Sequence, residues 1–395
     1  MKLCWLIPSD KSGGISPVAF SCCRQAAKAG HETTILMLGT PTWIGNDYDF
    51  RVSSLGLKGW APETPIKLQQ WLEENPQDVL FFNGCGELEA IIPYLPSNIK
   101  CVYVAHDTIP GYWCKALEEE DNIEAIVAVS ETVASKFRHC LKQTTKLSVI
   151  HNGCVFPNQP LNITRQDDLI FLGGENPTKG AFDVLQLWKQ LVKLEFAGKL
   201  HWFGNVTPEF RTKIEQLPSS EHICIYGFVQ RDLIFSTAAV SKVLLMLSRV
   251  EPFGMATIEA MSMGCVPVAW DVDTGTKEIA TANKTGLFAP LGNTQTLAKQ
   301  VLYACENYQN FSNVVIERAR SDFDEAVMWK NYESLIDHIA TLQPIERSKK
   351  GQQPAPYQPP VHRFQLVPPR LRSAIREFIG SSPALGYWLR DMRGW

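Results

Sequence analysis

The sequence predicts an α/β protein of two doubly wound, Rossmann-like lobes, and three observations carry that expectation. Short runs rich in Val, Ile and Leu alternate with helical stretches over roughly the first 345 residues. Runs that are apolar at consecutive positions belong to parallel strands covered on both faces. The alternation occurs twice, with a polar link near Phe156–Arg165 between the two series. A chain of 395 residues, 45% of them hydrophobic, is also long enough and apolar enough for two separate cores.

The first lobe is expected at residues 1–160. KLCWLIP (2–8) reads as a buried strand, the loop SDKSGGIS follows, and a helix is expected over Pro17–Ala29, closed by Gly30. HETTILML (31–38), DVLFFNG (78–84), KCVYVAHD (100–107), EAIVAVS (124–130) and KLSVIHNG (146–153) are the further strands. The second lobe is expected at 161–345, with strands at LIFLGG (169–174), LHWFGNV (200–206), ICIYGFV (223–229), KVLLMLS (242–248) and VPVAWDV (266–272). Its helices include Lys179–Phe196 and Pro208–Leu217, and a closing helical segment near Asp324–Leu342 is expected to finish it. Two such lobes imply a cleft at the carboxyl ends of their strands, where ligands bind in sheets of this kind.

Residues 346–395 differ in kind. Six prolines between Pro354 and Pro369 favour an extended linker. From Glu346 on, nine Lys/Arg stand against three Asp/Glu, and Leu371, Ala374, Ile375, Phe378 and Ile379 follow helical spacing. A basic amphipathic tail with aromatics suits a lipid interface, so peripheral membrane contact is one expectation and packing on the acidic body the other.

Composition narrows the function. A net charge of −3 gives no reason to expect nucleic-acid binding. The 11 cysteines lack C-x-x-C and zinc-like spacing, which fits reduced thiols and a cytoplasmic location. The opening MKLCWLIPSD has too short an apolar run for a signal peptide, and nothing approaches the roughly 20 apolar residues of a bilayer span.

The most informative stretch is SRVEPFGMATIEAMSMGCVPVAW, where Glu251 and Glu259 stand eight positions apart. Pro252 is suited to open a helix, Gly254 permits close backbone approach, and Gly264 ends the helix after about Met263. A helix N-terminus attracts phosphate. Glu259 would lie roughly 9 Å along that helix. A diphosphate at the tip with one carboxylate on either side matches a nucleotide sugar: hexose, diphosphate, ribose.

Taken with its flanks, the stretch resembles the signature of retaining family 4 glycosyltransferases of the GT-B architecture, and the resemblance extends over about residues 1–342. It implies that Glu251, with the backbone of Phe253, Gly254 and Met255, holds the donor sugar, and that Glu259 holds the ribose. Gly13 and Gly14 match the family's N-terminal glycine loop, and His106 its strand-end histidine. In FLGGENPTKG (171–180) Lys179 fits the lysine that neutralises the diphosphate, but Gly174 stands where an arginine is usual. Arg249 is the candidate to compensate. Gly275, in Asp273–Glu278, takes the place of a Gly-Gly loop. Asp271-Val272-Asp273 imitates a metal-binding D-x-D, but the resemblance implies no metal and no cofactor. The reaction it implies moves a hexose from a nucleotide diphosphate sugar to a saccharide or lipid-linked acceptor, with Trp43, Trp60, Tyr112 and Trp113 as stacking candidates. A nucleotide-sugar epimerase of the same fold and a non-catalytic binding relative are the alternatives.

Overall fold

A computed structural model describes residues 1–10, 13–42, 48–57, 61–158 and 164–358. Trp43, Trp60, the Tyr112 side chain and the basic tail beyond residue 358 lie outside the described residues. The chain forms two compact units, Val155–Asp324 and, around it in sequence, Met1–Cys154 with the chain from Glu325 on.

The first unit carries strands β1 (Lys2–Ile7), β2 (Glu32–Met37), β3 (Arg51–Ser54), β4 (Val79–Phe82), β5 (Lys100–Ala105), β6 (Ala125–Ala128) and β7 (Leu147–Val149), parallel in the order 3-2-1-4-5-6-7. The second carries β8 (Gln166–Leu172), β9 (Leu200–Phe203), β10 (Ile223–Gly227), β11 (Ser241–Met246), β12 (Val266–Trp270) and β13 (Leu287–Ala289), parallel in the order 10-9-8-11-12-13. The direction of winding therefore reverses between β1 and β4, and again between β8 and β11. Ligands bind at such points.

The apolar strand runs are buried on both faces. In the second sheet Leu169, Phe171, Val243, Leu245, Val268 and Trp270 face the helices Ala181–Lys193 and Thr294–Glu306. Their alternates Ile170, Leu244, Met246 and Ala269 face Arg231–Val240 and Met255–Ser262. The period of two on each strand assigns the faces.

Three expectations are corrected. The closing helix, Glu325–Thr341, packs on the first unit and not the second: Arg24 pairs with Glu325 at 2.6 Å, and Tyr332 meets Phe81 edge-on with ring centroids 6.0 Å apart. Phe81 in turn stacks on Trp5 at 4.2 Å, so this helix covers the middle of the first sheet. The chain from Glu346 is no simple spacer either. Arg347 is fully buried, pairs with the equally buried Glu124 at 3.0 Å, and donates to the carbonyls of Pro96, Ile99 and Asn122. Farther on, the Tyr357 amide donates to the carbonyl of Pro62. Finally, the helix expected to open at Pro252 opens at Met255, because Gly254 adopts φ +114° as its N-cap.

All 11 cysteines are free, and burial raises the thiols of Cys22 and Cys23. Among the described residues no helix is long and apolar enough to cross a membrane.

Candidate functional site

In the second unit the loops that follow β8 and β11 are laced together. The Arg249 amide donates to the carbonyl of Thr178 at 3.0 Å. That bond lays Lys179 beside Glu251 although 72 positions separate them, and their side chains pair at 2.6 Å. Ser248 Oγ also donates to Glu251, at 3.1 Å. Glu251 is 10% exposed and Lys179 36%, so the ammonium is the member of the pair that solvent or a ligand reaches.

The turn carrying Glu251 is held from behind. The Gly275 amide donates to the Glu251 carbonyl at 2.8 Å. A Cβ on Gly275 would sit 2.3 Å from the carbonyl oxygen of Phe253, so only glycine allows this approach. The structure thus places Gly275 against the Glu251–Phe253 backbone, as a support of that turn. Phe253 is 3% exposed and meets Phe323 edge-on, which leaves its backbone for any ligand contact. Met255 begins the helix, and the amides of that first turn give its tip a partial positive charge.

Glu259 lies one turn into the helix, nearer the tip than the sequence predicted. It pairs with Arg231 at the start of the helix Arg231–Val240. Burial pushes the Glu259 carboxyl up, and the guanidinium beside it pulls in the other direction without cancelling the effect. Sequence reasoning missed Arg231, since nothing local ties it to a residue 28 positions away.

Next to Lys179 opens a pocket of about 610 Å³, lined by Gly173, Gly174, Asn176, Gly204, Asn205, Gly227 and Phe228 among others. Its size is typical of small-molecule sites. Its glycines follow from contact between two loops. Gly174 has φ +53°, and a Cβ there would lie 2.6 Å from the carbonyl oxygen of Asn205. A Cβ on Gly204, at φ +106°, would meet the Gly174 amide at 2.5 Å. The departure at Gly174 is therefore built into the backbone. Phe228 is 65% exposed on the pocket wall, large for an aromatic ring on a protein surface.

The geometry also bears on Arg249 and on the D-x-D look-alike. Arg249 does not reach toward a diphosphate: its guanidinium forms a bidentate pair with Asp183, which also accepts from Trp270 Nε1 at 3.1 Å. And Asp271 and Asp273, the D-x-D look-alike, share Lys277 between them at 2.7 and 3.6 Å. An ammonium already occupies the ground between those carboxylates.

In the first unit, β1, β4 and β5 are neighbours, and the candidates sit where those strands end. Gly13 takes φ +47° in the loop after β1, and Gly14 caps the helix Ile15–Lys28. His106 follows β5, with Nε2 2.9 Å from Asn83 Oδ1 after β4. The Asn83 amide nitrogen donates to the carbonyls of Leu6 and Phe81, which identifies Oδ1 as an acceptor. His106 therefore carries its proton on Nε2 and presents Nδ1 as an acceptor. Burial lowers its pKa to about 4, so the ring is neutral near pH 7. Trp113 is occupied structurally: its Nε1 donates to the Thr108 carbonyl and its ring packs edge-on against Phe137.

The chain is similar to known proteins over both of its halves. The family described as Glycosyl transferases group 1 matches residues 156–322, and Glycosyltransferase Family 4 matches residues 12–154. N-acetyl-alpha-D-glucosaminyl L-malate synthase of Bacillus anthracis is 22% identical in an alignment 354 residues long that covers 79% of this chain and 90% of that protein. Among solved structures, Anabaena HepE in complex with UDP superposes with a TM-score of 0.71 at 16% identity, covering 86% of this chain and 100% of that one. Sucrose-phosphate synthase from Thermosynechococcus elongatus gives 0.72 at 14% identity, covering 86% and 99%.

Proposed function

This chain belongs to the group 1, family 4 glycosyltransferases of the GT-B fold, and on that premise we propose that it moves a hexose-type sugar from a nucleotide diphosphate sugar to a saccharide or lipid-linked acceptor with retention of configuration. The observation that carries the reading is the meeting of Lys179 and Glu251 at the point where the winding of the second sheet reverses, beside a pocket that has room for a nucleoside. A solved relative in complex with UDP supports the donor class.

The donor's base fills the pocket against Phe228, whose exposed face can stack on it. Its ribose hydroxyls meet Glu259, and its diphosphate lies at the tip of the Met255 helix. On donor entry the half-exposed Lys179 ammonium turns from Glu251 to the diphosphate. One movement then neutralises the leaving group and leaves the Glu251 carboxylate to accept from the sugar hydroxyls. The departing phosphate takes the proton of the incoming hydroxyl, so no side-chain base and no metal are needed. His106, neutral, can accept a hydrogen bond from a hydroxyl on Nδ1 and is neither the acid nor the base of the reaction. With Gly174 unable to carry a cation and Arg249 held by Asp183, Lys179 is the cation this loop supplies.

A thermal-denaturation screen of UDP-, GDP- and ADP-sugars tests the donor assignment, because a bound ligand stabilises the native state. Incubation of the best donor with and without acceptor then separates transfer from epimerisation. Failure of every nucleotide sugar to raise the melting temperature refutes the reading. The location we propose is cytoplasmic, with residues 359–395 touching anionic lipid; vesicle co-sedimentation unchanged by deleting 359–395 would remove the lipid contact. The deletion must spare Arg347, since that side chain is core.

A further inference from the structure

We propose that Arg231 is a positioning residue of the donor site, fixing the Glu259 carboxylate for the ribose hydroxyls of the nucleotide; this rests on the donor reading above. Arg231 directly follows the loop whose Gly227, Phe228 and Val229 line the pocket, so it joins the wall that receives the base to the acid that receives the ribose. Its guanidinium pairs with Glu259 Oε1 and lies over the Phe235 ring, 5.5 Å from the centroid, one helical turn farther along. The ring and the carboxylate together restrict the arginine to few rotamers. Glu259 is 14% exposed and Arg231 41%, so the pair opens toward solvent on the arginine's side.

A carboxylate this poorly hydrated needs a counter-charge to remain an acceptor for two vicinal hydroxyls. The other cations on elements packed against the Met255 helix are committed elsewhere. Lys242 pairs with Asp167, Lys277 with Asp271 and Arg318 with Asp322, while Arg320 donates to the carbonyls of Ser262 and Pro157. Among the described residues, Arg231 is the ion-pair partner of Glu259.

The test compares a nucleoside diphosphate with its 2′,3′-dideoxy form. UDP, GDP and ADP are titrated calorimetrically, and the tightest is carried forward. The readout is the ratio of dideoxy to ribo Kd between pH 6 and 8.5, in which the phosphate's own protonation cancels. Wild type should prefer the ribo form by about tenfold, the size expected for hydrogen bonds to a charged group. In Arg231→Met the preference should shrink toward one at pH 6 and climb as pH rises, because the unpaired carboxyl protonates more readily. Arg231→Lys should restore both the preference and its flat profile. An Arg231→Met ratio equal to wild type at every pH, or equal weakening of both forms, overturns the proposal. Glu259→Gln separates the two levels of the reading. If it erases the preference while Arg231→Met does not, the arginine's role alone fails. If it too is silent, the ribose assignment of Glu259 fails as well.

Discussion

Replacing Lys179 by Met removes the ammonium and keeps most of the side chain's bulk, so it reports on charge. In the resting protein it leaves Glu251, 10% exposed, with Ser248 Oγ at 3.1 Å as its remaining side-chain donor among the described residues. Removing one partner of a fully buried pair costs about 3–5 kcal/mol, and an exposed pair is worth about 0–1. Lys179 is 36% exposed, so solvent screens much of the interaction. A loss of about 1–2 kcal/mol is expected, or a melting temperature lower by roughly 3–6 °C for a unit of this size. Turnover should fall far more, by about a hundredfold, because the leaving diphosphate loses its cation in the transition state. Adding Glu251→Gln to Lys179→Met separates the two effects. The double variant should regain most of the lost melting temperature and none of the turnover. Thermal unfolding and initial rates with the donor from the screen are the assays. Wild-type turnover in Lys179→Met would refute the assignment of the lysine; recovery of turnover in the double variant would show that its only task is to pair with Glu251.

Three other predictions follow from the same geometry. Gly174→Arg should not restore the family's missing cation: φ +53° and the Asn205 carbonyl at 2.6 Å make it strained, so it should melt lower and turn over no faster. His106 has a pKa of about 4 against an ordinary 6.5, so between those values the unfolded chain binds a proton that the folded one does not. Its contribution to stability is therefore present above pH 6.5 and erodes as pH falls toward 4, by up to about 1.4 kcal/mol per pH unit, and urea unfolding of His106→Gln should lack that component. Arg347→Met leaves the buried Glu124 with the Cys101 amide and a longer contact to Lys100 at 3.9 Å, and should cost about 3 kcal/mol, read as a lower denaturation midpoint with the slope unchanged.

The doubly wound architecture was legible because strands buried on both faces must be apolar at consecutive positions, and KLCWLI or VLFF admits little else. The strands that escaped notice are RVSS, polar and half exposed at a sheet edge, for which this fails, and LFA, which is apolar but only three residues long. Pro252 misled about the helix start because a proline at N1 is a common opening, whereas the left-handed Gly254 postpones it here. Trp329, Tyr332 and Ile336 mark the closing helix as buried, but no local pattern names the surface it covers. The same limit applies at the site. Glu251 and Glu259 stand out by spacing and type, and Lys179 by the family resemblance of FLGGENPTKG. The partners that decide what each can do are Arg231 for Glu259, Asp183 for Arg249, Asn83 for His106 and the Phe253 backbone for Gly275, and tertiary structure alone supplies them.

Because the Glu325–Thr341 helix and Arg347 complete a core begun by Trp5 and Phe81, the first unit is discontinuous, with the second inserted in it. During translation the opening 154 residues leave the ribosome with that side of their sheet uncovered. They wait until the whole inserted unit and more than twenty further residues have been made. The insert, contiguous in sequence, can mature on its own while its host cannot. A released fragment ending at Asp324 should therefore resist protease across residues 155–324 and be cut freely within the earlier segment. The last part synthesised licenses the first.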